Sequence, residues 1–211
     1  MPDIHIPKLG EHGGGKSIVK VALEVILISV GVFLGLAGEQ WRENARHREL
    51  AEDALRRFRT EIVANGKSIA AVQDYHLARR KELHAALDAV AQNREPDSIH
   101  LSGIQPASLE HTAWELALRQ PSLAYIDTNL AYSLSQIYQA QERLDALGRG
   151  LSQAMYVNPP AVKPKEFFGA VSVYYDDASI MEPQLATMYD AILPRLDKAL
   201  GETPAQKKPS D

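Results

Sequence analysis

The sequence of 211 residues contains no cysteine. A chain without cysteine has no disulfide scaffold, no cysteine-ligated zinc or iron–sulfur site and no cysteine nucleophile. Lysine and arginine, 23 together, are outnumbered by 27 aspartates and glutamates, so the formal net charge is -4. This acidic balance disfavours a globally basic nucleic-acid-binding protein, and we expect no nucleic-acid partner.

Several short motifs that carry enzyme chemistry are missing from the sequence. There is no Gly-x-Ser-x-Gly motif, and none of the seven histidines belongs to a His-Glu-x-x-His or Glu-x-x-His pattern. No segment alternates with a period of two, so we predict no β-sheet. We therefore predict no enzymatic activity, no catalytic residue, no cofactor and no metal site.

One long apolar run is present, over residues 18–38, and its second half carries no charge. Residues 21–38 span about 27 Å as a helix, close to the roughly 30 Å of a bilayer hydrocarbon core. Lys20 can extend its amine to the headgroups, and Trp41 lies where interfacial aromatic residues sit. The run predicts a transmembrane helix; the alternatives are a buried helix of a soluble domain and a cleaved signal peptide.

Glycines share one face of this predicted helix. At helical spacing, Gly31, Gly35 and Gly38 align with Glu24. A face of small residues lets two membrane helices approach closely, and a carboxyl group on that face favours a buried pairing over lipid exposure. The pattern predicts a homo-oligomer or a membrane-protein partner in the lipid bilayer, against the alternative of a plain anchor with incidental glycines.

The segment after the run is charged and helical, with arginines interleaved among acidic residues. The stretch from Leu23 to Glu43, with Glu24, Gly31 and Trp41, resembles the start of a group of uncharacterised bacterial proteins. Those proteins have one N-terminal membrane helix, an intramembrane glutamate, a glycine, a tryptophan at the exit and then a charged helix. The resemblance covers about residues 20–65; it implies an anchor and no assigned activity.

The next part of the chain also reads as helical. An apolar stripe ends at Asn65-Gly66, a helix-stop signal, so residues 67–93 form a second helix or continue the first. Residues 94–106 read as a loop. Thr112 has capping-box spacing to Glu115 and opens or re-caps a short helix that ends before Pro121.

The best-defined helix of this part follows Asp127. Its apolar seam is interrupted at Gln141 and Gly148, and we favour packing inside one bundle over a coiled coil. The seam residues are Leu130, Leu134, Ile137, Leu144, Leu151 and Met155. After a proline-rich loop we predict a helix around residues 167–181, a break or first-turn proline at Pro183, and a last helix kinked at Pro194.

The predicted fold is all-α: a single N-terminal transmembrane helix continuing into a bundle of four to five helices. We divide the chain into a flexible tail (1–17), the transmembrane helix (18–38), an α-helical domain (39–200) and a disordered tail (201–211).

His76 lies on the apolar stripe of the second predicted helix, where a satisfied core histidine is the favoured interpretation over a ligand-binding or switch residue. The Tyr174-Tyr175-Asp176-Asp177 run favours a polar helix face over a cation site. We read Trp114 and Tyr125 as packing residues, and a small apolar pocket inside the bundle stays open.

These features favour a membrane-anchored scaffold or interaction protein that self-associates. The alternative is an anchored sensor or transport-accessory protein whose helical domain binds a small ligand or partner. Basic residues after the span favour a cytoplasmic domain. An N-terminal anchor and the lack of cysteine favour export, so we expect the inner (plasma) membrane with the domain in the periplasm.

Overall fold

The computed structural model describes residues 14–95, 103–159 and 161–201, with side chains from residue 20 onward. All regular structure in these residues is helical, which confirms the all-α prediction. The elements are α1 (Gly14–Ala91), α2 (Thr112–Arg119), a 3-10 helix (Pro121–Tyr125), α3 (Thr128–Val157) and α4 (Pro164–Ala199). Four α-helices agree with the predicted four to five. The chain divides into two compact units, Met1–His47 and Arg48–Asp211.

The first unit contains the apolar part of α1. The helix begins at Gly14, so the last four residues of the tail predicted at 1–17 are helical, because a formed helix extends at low cost. The rest of that tail lies outside the described residues, as does the C-terminal tail after Gly201. By length and composition α1 is able to cross a membrane, and no part of its apolar window is buried within the structure.

Of the two alternatives at Asn65-Gly66, a second helix or a continuation of the first, the structure shows the continuation, because α1 extends to Ala91. Asn65 is buried, and its side-chain amide donates to the carbonyl of Glu110 at 2.9 Å while its oxygen accepts from the N–H of Glu110 at 2.8 Å. A Cβ atom at Gly66 would lie 3.6 Å from the Tyr189 ring. Both residues therefore serve helix packing, and residues 67–91 continue the first helix.

The core of the second unit is formed by α1, α3 and α4. The seam predicted on α3 faces inward, with Leu130, Leu134 and Ile137 buried in the larger of two apolar clusters. Its polar interruption, Gln141, is also buried and donates a hydrogen bond of 2.8 Å to the Tyr189 hydroxyl on α4. The seam thus packs inside one chain, as expected for a bundle helix.

The predicted break at Pro183 is wrong, because α4 is one helix of 36 residues that contains Pro183 and Pro194. Both prolines are exposed, so their rings do not disturb the packing of the core. Glu182 and Leu185, beside the first proline, are buried and hold the helix against the core.

The starts of α2 and α3 differ in how they are capped. The helix α3 follows Asp127, as predicted, and Asp127 caps it by accepting a 2.9 Å hydrogen bond from the Leu130 N–H. The capping box predicted at Thr112 is wrong: the N-cap of α2 is His111, which makes no side-chain cap bond. A buried carboxylate from α1, that of Glu61, accepts from the Ala113 N–H instead.

Candidate functional site

The glycine face of α1 is open. No atom lies within 4 Å of the position that a Cβ would occupy at Gly31, Gly35 or Gly38, and Glu24 is exposed. Lys20 and Trp41, the predicted interfacial residues, are exposed as well. Among the described residues, none therefore covers the apolar surface of α1 that the sequence predicted.

His76 is a fully buried polar group of the second unit, and its side chain is 0% exposed. Its Nδ1 lies 2.7 Å from Oε1 of Glu182 on α4. Its Nε2 lies 3.1 Å and 2.9 Å from the carbonyl oxygens of Ile104 and Gln105. Because carbonyl oxygens only accept, Nε2 carries a hydrogen and donates it, and Nδ1 and Glu182 share the remaining proton. His76 thus joins α1, α4 and the segment before α2.

The charge state of His76 is set by two opposing effects. Burial lowers the pKa of the imidazole, but the hydrogen bond and negative charge of Glu182, with the two carbonyl groups, outweigh it. The pKa of His76 is therefore raised above its ordinary value of 6.5. His76 and Glu182 are both buried and share this proton between two different helices.

Aromatic rings enclose this pair. The rings of Tyr174 and Tyr175 lie 5.6 Å and 5.4 Å from the His76 ring, and that of Tyr75 lies 6.0 Å away. The hydroxyl groups of Tyr75 and Tyr175 both donate to the carbonyl of Gly103. A group enclosed in this way holds structural elements together and has no free surface for a substrate.

A second buried carboxylate, Glu61, organises the start of α2. It is 5% exposed; Oε2 accepts from the Ala113 N–H at 2.7 Å and Oε1 accepts from the Tyr138 hydroxyl at 2.6 Å. Burial, and then the Glu61 charge, raise the pKa of Tyr138, which keeps the phenol protonated as a donor. Trp114 stacks on Tyr138 with ring centres 5.2 Å apart, so it is a packing residue.

A third polar cluster was missed by the sequence reasoning. Nε2 of His111 lies 2.6 Å from Oδ2 of Asp145, and Glu142 lies one helical turn before Asp145 on α3. One ligand atom from each of the three side chains lies within 4.8 Å of the other two. The Glu142-x-x-Asp145 spacing was the available signal, but the histidine comes from a different element, 31 residues earlier than Glu142.

In the acidic pair at 176–177, Asp176 is already partnered within the protein. Asp176 accepts from Arg80 at 2.7 Å and from His84 at 2.8 Å, which is the arrangement of a polar helix face. Tyr174 and Tyr175, next to it, are buried in the smaller apolar cluster.

Comparison of the chain with protein-family models, with curated proteins and with solved structures found no match. The resemblance of residues 20–65 to anchored bacterial proteins accordingly stays a prediction.

Proposed function

We propose that this is a single-pass protein of the inner (plasma) membrane that acts as an anchored helical interaction module and self-associates through the glycine face of its anchor. The observation that carries the proposal is the exposure of the whole apolar window of α1. Isolated apolar side chains on a protein surface are ordinary, but a continuous apolar surface of this length marks an interaction with lipid or protein.

The glycine face supplies the contact in this proposal. With no side chains at Gly31, Gly35 and Gly38, a second helix can approach the backbone closely, and packing between helices stabilises association where lipid and protein are equally apolar. Glu24 lies on the same face. A carboxyl group in the hydrocarbon region is costly when it faces lipid, so pairing with a second copy favours its burial.

The helical domain has the character of a rigid binding platform. Its buried polar groups, His76 and Glu61, are partnered within the protein and fix the positions of α2, α4 and the segment between α1 and α2. A domain that recognises a partner by its surface needs a fixed shape and no reactive group. A fixed shape suits a scaffold that positions partners at the membrane.

Self-association is tested by sedimentation of the purified full chain in a mild detergent. We expect an oligomer for the wild-type protein, and weakening by about tenfold or more, which is roughly 1.4 kcal/mol, for Gly31→Leu combined with Gly35→Leu. Ala37→Leu adds a side chain of the same size on a different face and should leave association unchanged. A monomeric wild type, or an oligomer that ignores both glycine substitutions, contradicts the proposal.

The sidedness of the domain is tested separately. We propose a periplasmic domain, which predicts that a reporter active only after export is active when fused to the C-terminus. Activity of a C-terminal reporter that works only in the cytoplasm would contradict the periplasmic placement. It would not contradict the proposal that α1 anchors the protein in the membrane.

The alternative function, an anchored sensor, has one specific observation in its favour. The His76–Glu182 pair couples α1, α4 and the segment before α2, and its proton sits on a group with a pKa displaced from the ordinary value. A change of domain structure or partner binding between about pH 5 and about pH 8, absent in His76→Gln, would favour the sensor over the scaffold.

A further inference from the structure

We infer that His111, Glu142 and Asp145 form a binding site for a divalent transition-metal ion that joins the start of α2 to α3. The three side chains bring one imidazole and two carboxylates together, with ligand atoms within 4.8 Å of one another. Ligands held at about 2.0–2.2 Å from one ion lie up to about 4.4 Å apart, so small side-chain rotations complete the set.

The histidine is held in place by its neighbours in sequence. Glu110, immediately before it, is fixed by both hydrogen bonds of the buried Asn65 amide. Ala113, two residues after it, is fixed by the buried Glu61 carboxylate. Hydrogen bonds from α1 therefore fix the backbone on both sides of His111. A metal site requires ligands that are held in position before the metal binds.

The two carboxylates are placed by the helical repeat of α3. Residues three apart lie on the same face of a helix, which puts Glu142 and Asp145 side by side. Asp145 is partly buried and pairs with His111, whereas Glu142 is exposed and pairs with Arg149. Asp145 is thus paired with the His111 ring and Glu142 with the Arg149 guanidinium; a bound metal would take both carboxylates and the imidazole as ligands and displace Arg149.

Room for further ligands adjoins the cluster. Asp145 also lines a cavity of about 420 Å³, together with Leu144, Gly148, Arg149 and Tyr174. Water, or an acidic group of a ligand held by Arg149, can complete the coordination shell from this side. The mixed imidazole and carboxylate set favours Zn²⁺, Co²⁺ or Ni²⁺ over Mg²⁺ and Ca²⁺, which prefer oxygen ligands alone.

The protein offers a matched control. His84 and Asp176 form a similar pair, with Nε2 2.8 Å from Oδ1. The other partner of Asp176 is Arg80, and no further carboxylate completes a ligand set among the described residues. If a bare histidine–aspartate pair were enough to attract a metal, both places would bind alike.

The test is titration of Zn²⁺ into the untagged, metal-free full chain in detergent, by calorimetry and by thermal unfolding. We expect one tight site and a rise in Tm of about 5 °C or more at a hundredfold excess over Kd, because metal binding to the folded state stabilises it. Mg²⁺ at the same concentration should give neither.

The variants separate a built site from surface chelation. His111→Gln and Glu142→Gln should weaken Zn²⁺ binding by about tenfold or more, whereas Arg149→Gln should strengthen it by removing a competing cation. His84→Gln should change nothing. Because Glu142 is exposed, its substitution leaves the fold intact. Absence of saturable binding, unchanged affinity in Glu142→Gln, or an equal loss in His84→Gln would overturn the inference.

Discussion

The carboxylate of Glu61, in the interior of α1, accepts a 2.7 Å hydrogen bond from the backbone N–H of Ala113, in the first turn of α2, 52 residues later. The first N–H groups of a helix have no partner within it and are commonly satisfied by the residue that precedes the helix. In α2 that residue, His111, makes no such bond. The cap is supplied through tertiary structure, so α2 depends on the packing of α1.

The first prediction concerns this cap. Glu61→Ala should lower the free energy of unfolding by about 3 kcal/mol, because the Ala113 N–H and the Tyr138 hydroxyl both lose a buried acceptor. Urea unfolding of the full chain in detergent measures it, with Trp114, which stacks on Tyr138, as the fluorescent probe. Glu52→Ala, which removes an exposed ion pair with Arg56, should cost less than about 0.5 kcal/mol. Equal losses in the two variants would contradict the role of Glu61.

The second prediction concerns pH. The pKa of His76 is raised in the folded protein, so the folded state binds this proton more tightly than the unfolded chain. The stabilisation is fully present below about pH 6.5 and is lost as the pH rises through the folded pKa. The free energy of unfolding should therefore fall towards about pH 9 more steeply in the wild type than in His76→Gln.

The surroundings of His76 make this comparison interpretable. The titratable groups that face its ring are Glu182, Tyr75, Tyr174 and Tyr175. Burial raises the pKa of Tyr174 and of Tyr175, so these phenols keep their protons over the range. Glu182→Gln removes the carboxylate that raises the pKa of His76. Like His76→Gln, it should make the free energy of unfolding fall less steeply with rising pH. Parallel curves for the wild type and both variants would refute the prediction.

The third prediction concerns the glycine inside α1. Gly66→Ala should stabilise the domain by about 0.5–1 kcal/mol, because alanine loses less backbone freedom in a helix. The added Cβ would meet the Tyr189 ring at an ordinary contact distance of 3.6 Å. Gly201→Ala is the control of opposite sign, since Gly201 follows α4 with φ of 71°. A loss of stability in Gly66→Ala would mean that Tyr189 cannot accommodate the methyl group.

The sequence predicted those elements whose cause is local. Asp127 and the α3 seam were readable because a cap and a periodic stripe act within one helix. The sequence left the continuation through Gly66 as one of two alternatives. It did not predict the continuation through Pro183, because a local stop signal is overridden when the flanking residues are buried against other helices. The partners of His76 lie 28 to 106 residues away, so its stripe position predicted burial and gave no sign of Glu182.

The span of these contacts also bears on how the protein is made. Arg59 of α1 donates to Asp197 near the end of α4, 138 residues later. At a synthesis rate of about 5–20 residues per second, roughly 7–28 s pass between the emergence of the two partners. During this interval the inner face of α1, including Phe58 and Ile62, has no α4 to cover it. The nascent domain is therefore a candidate client for chaperones until α4 is complete.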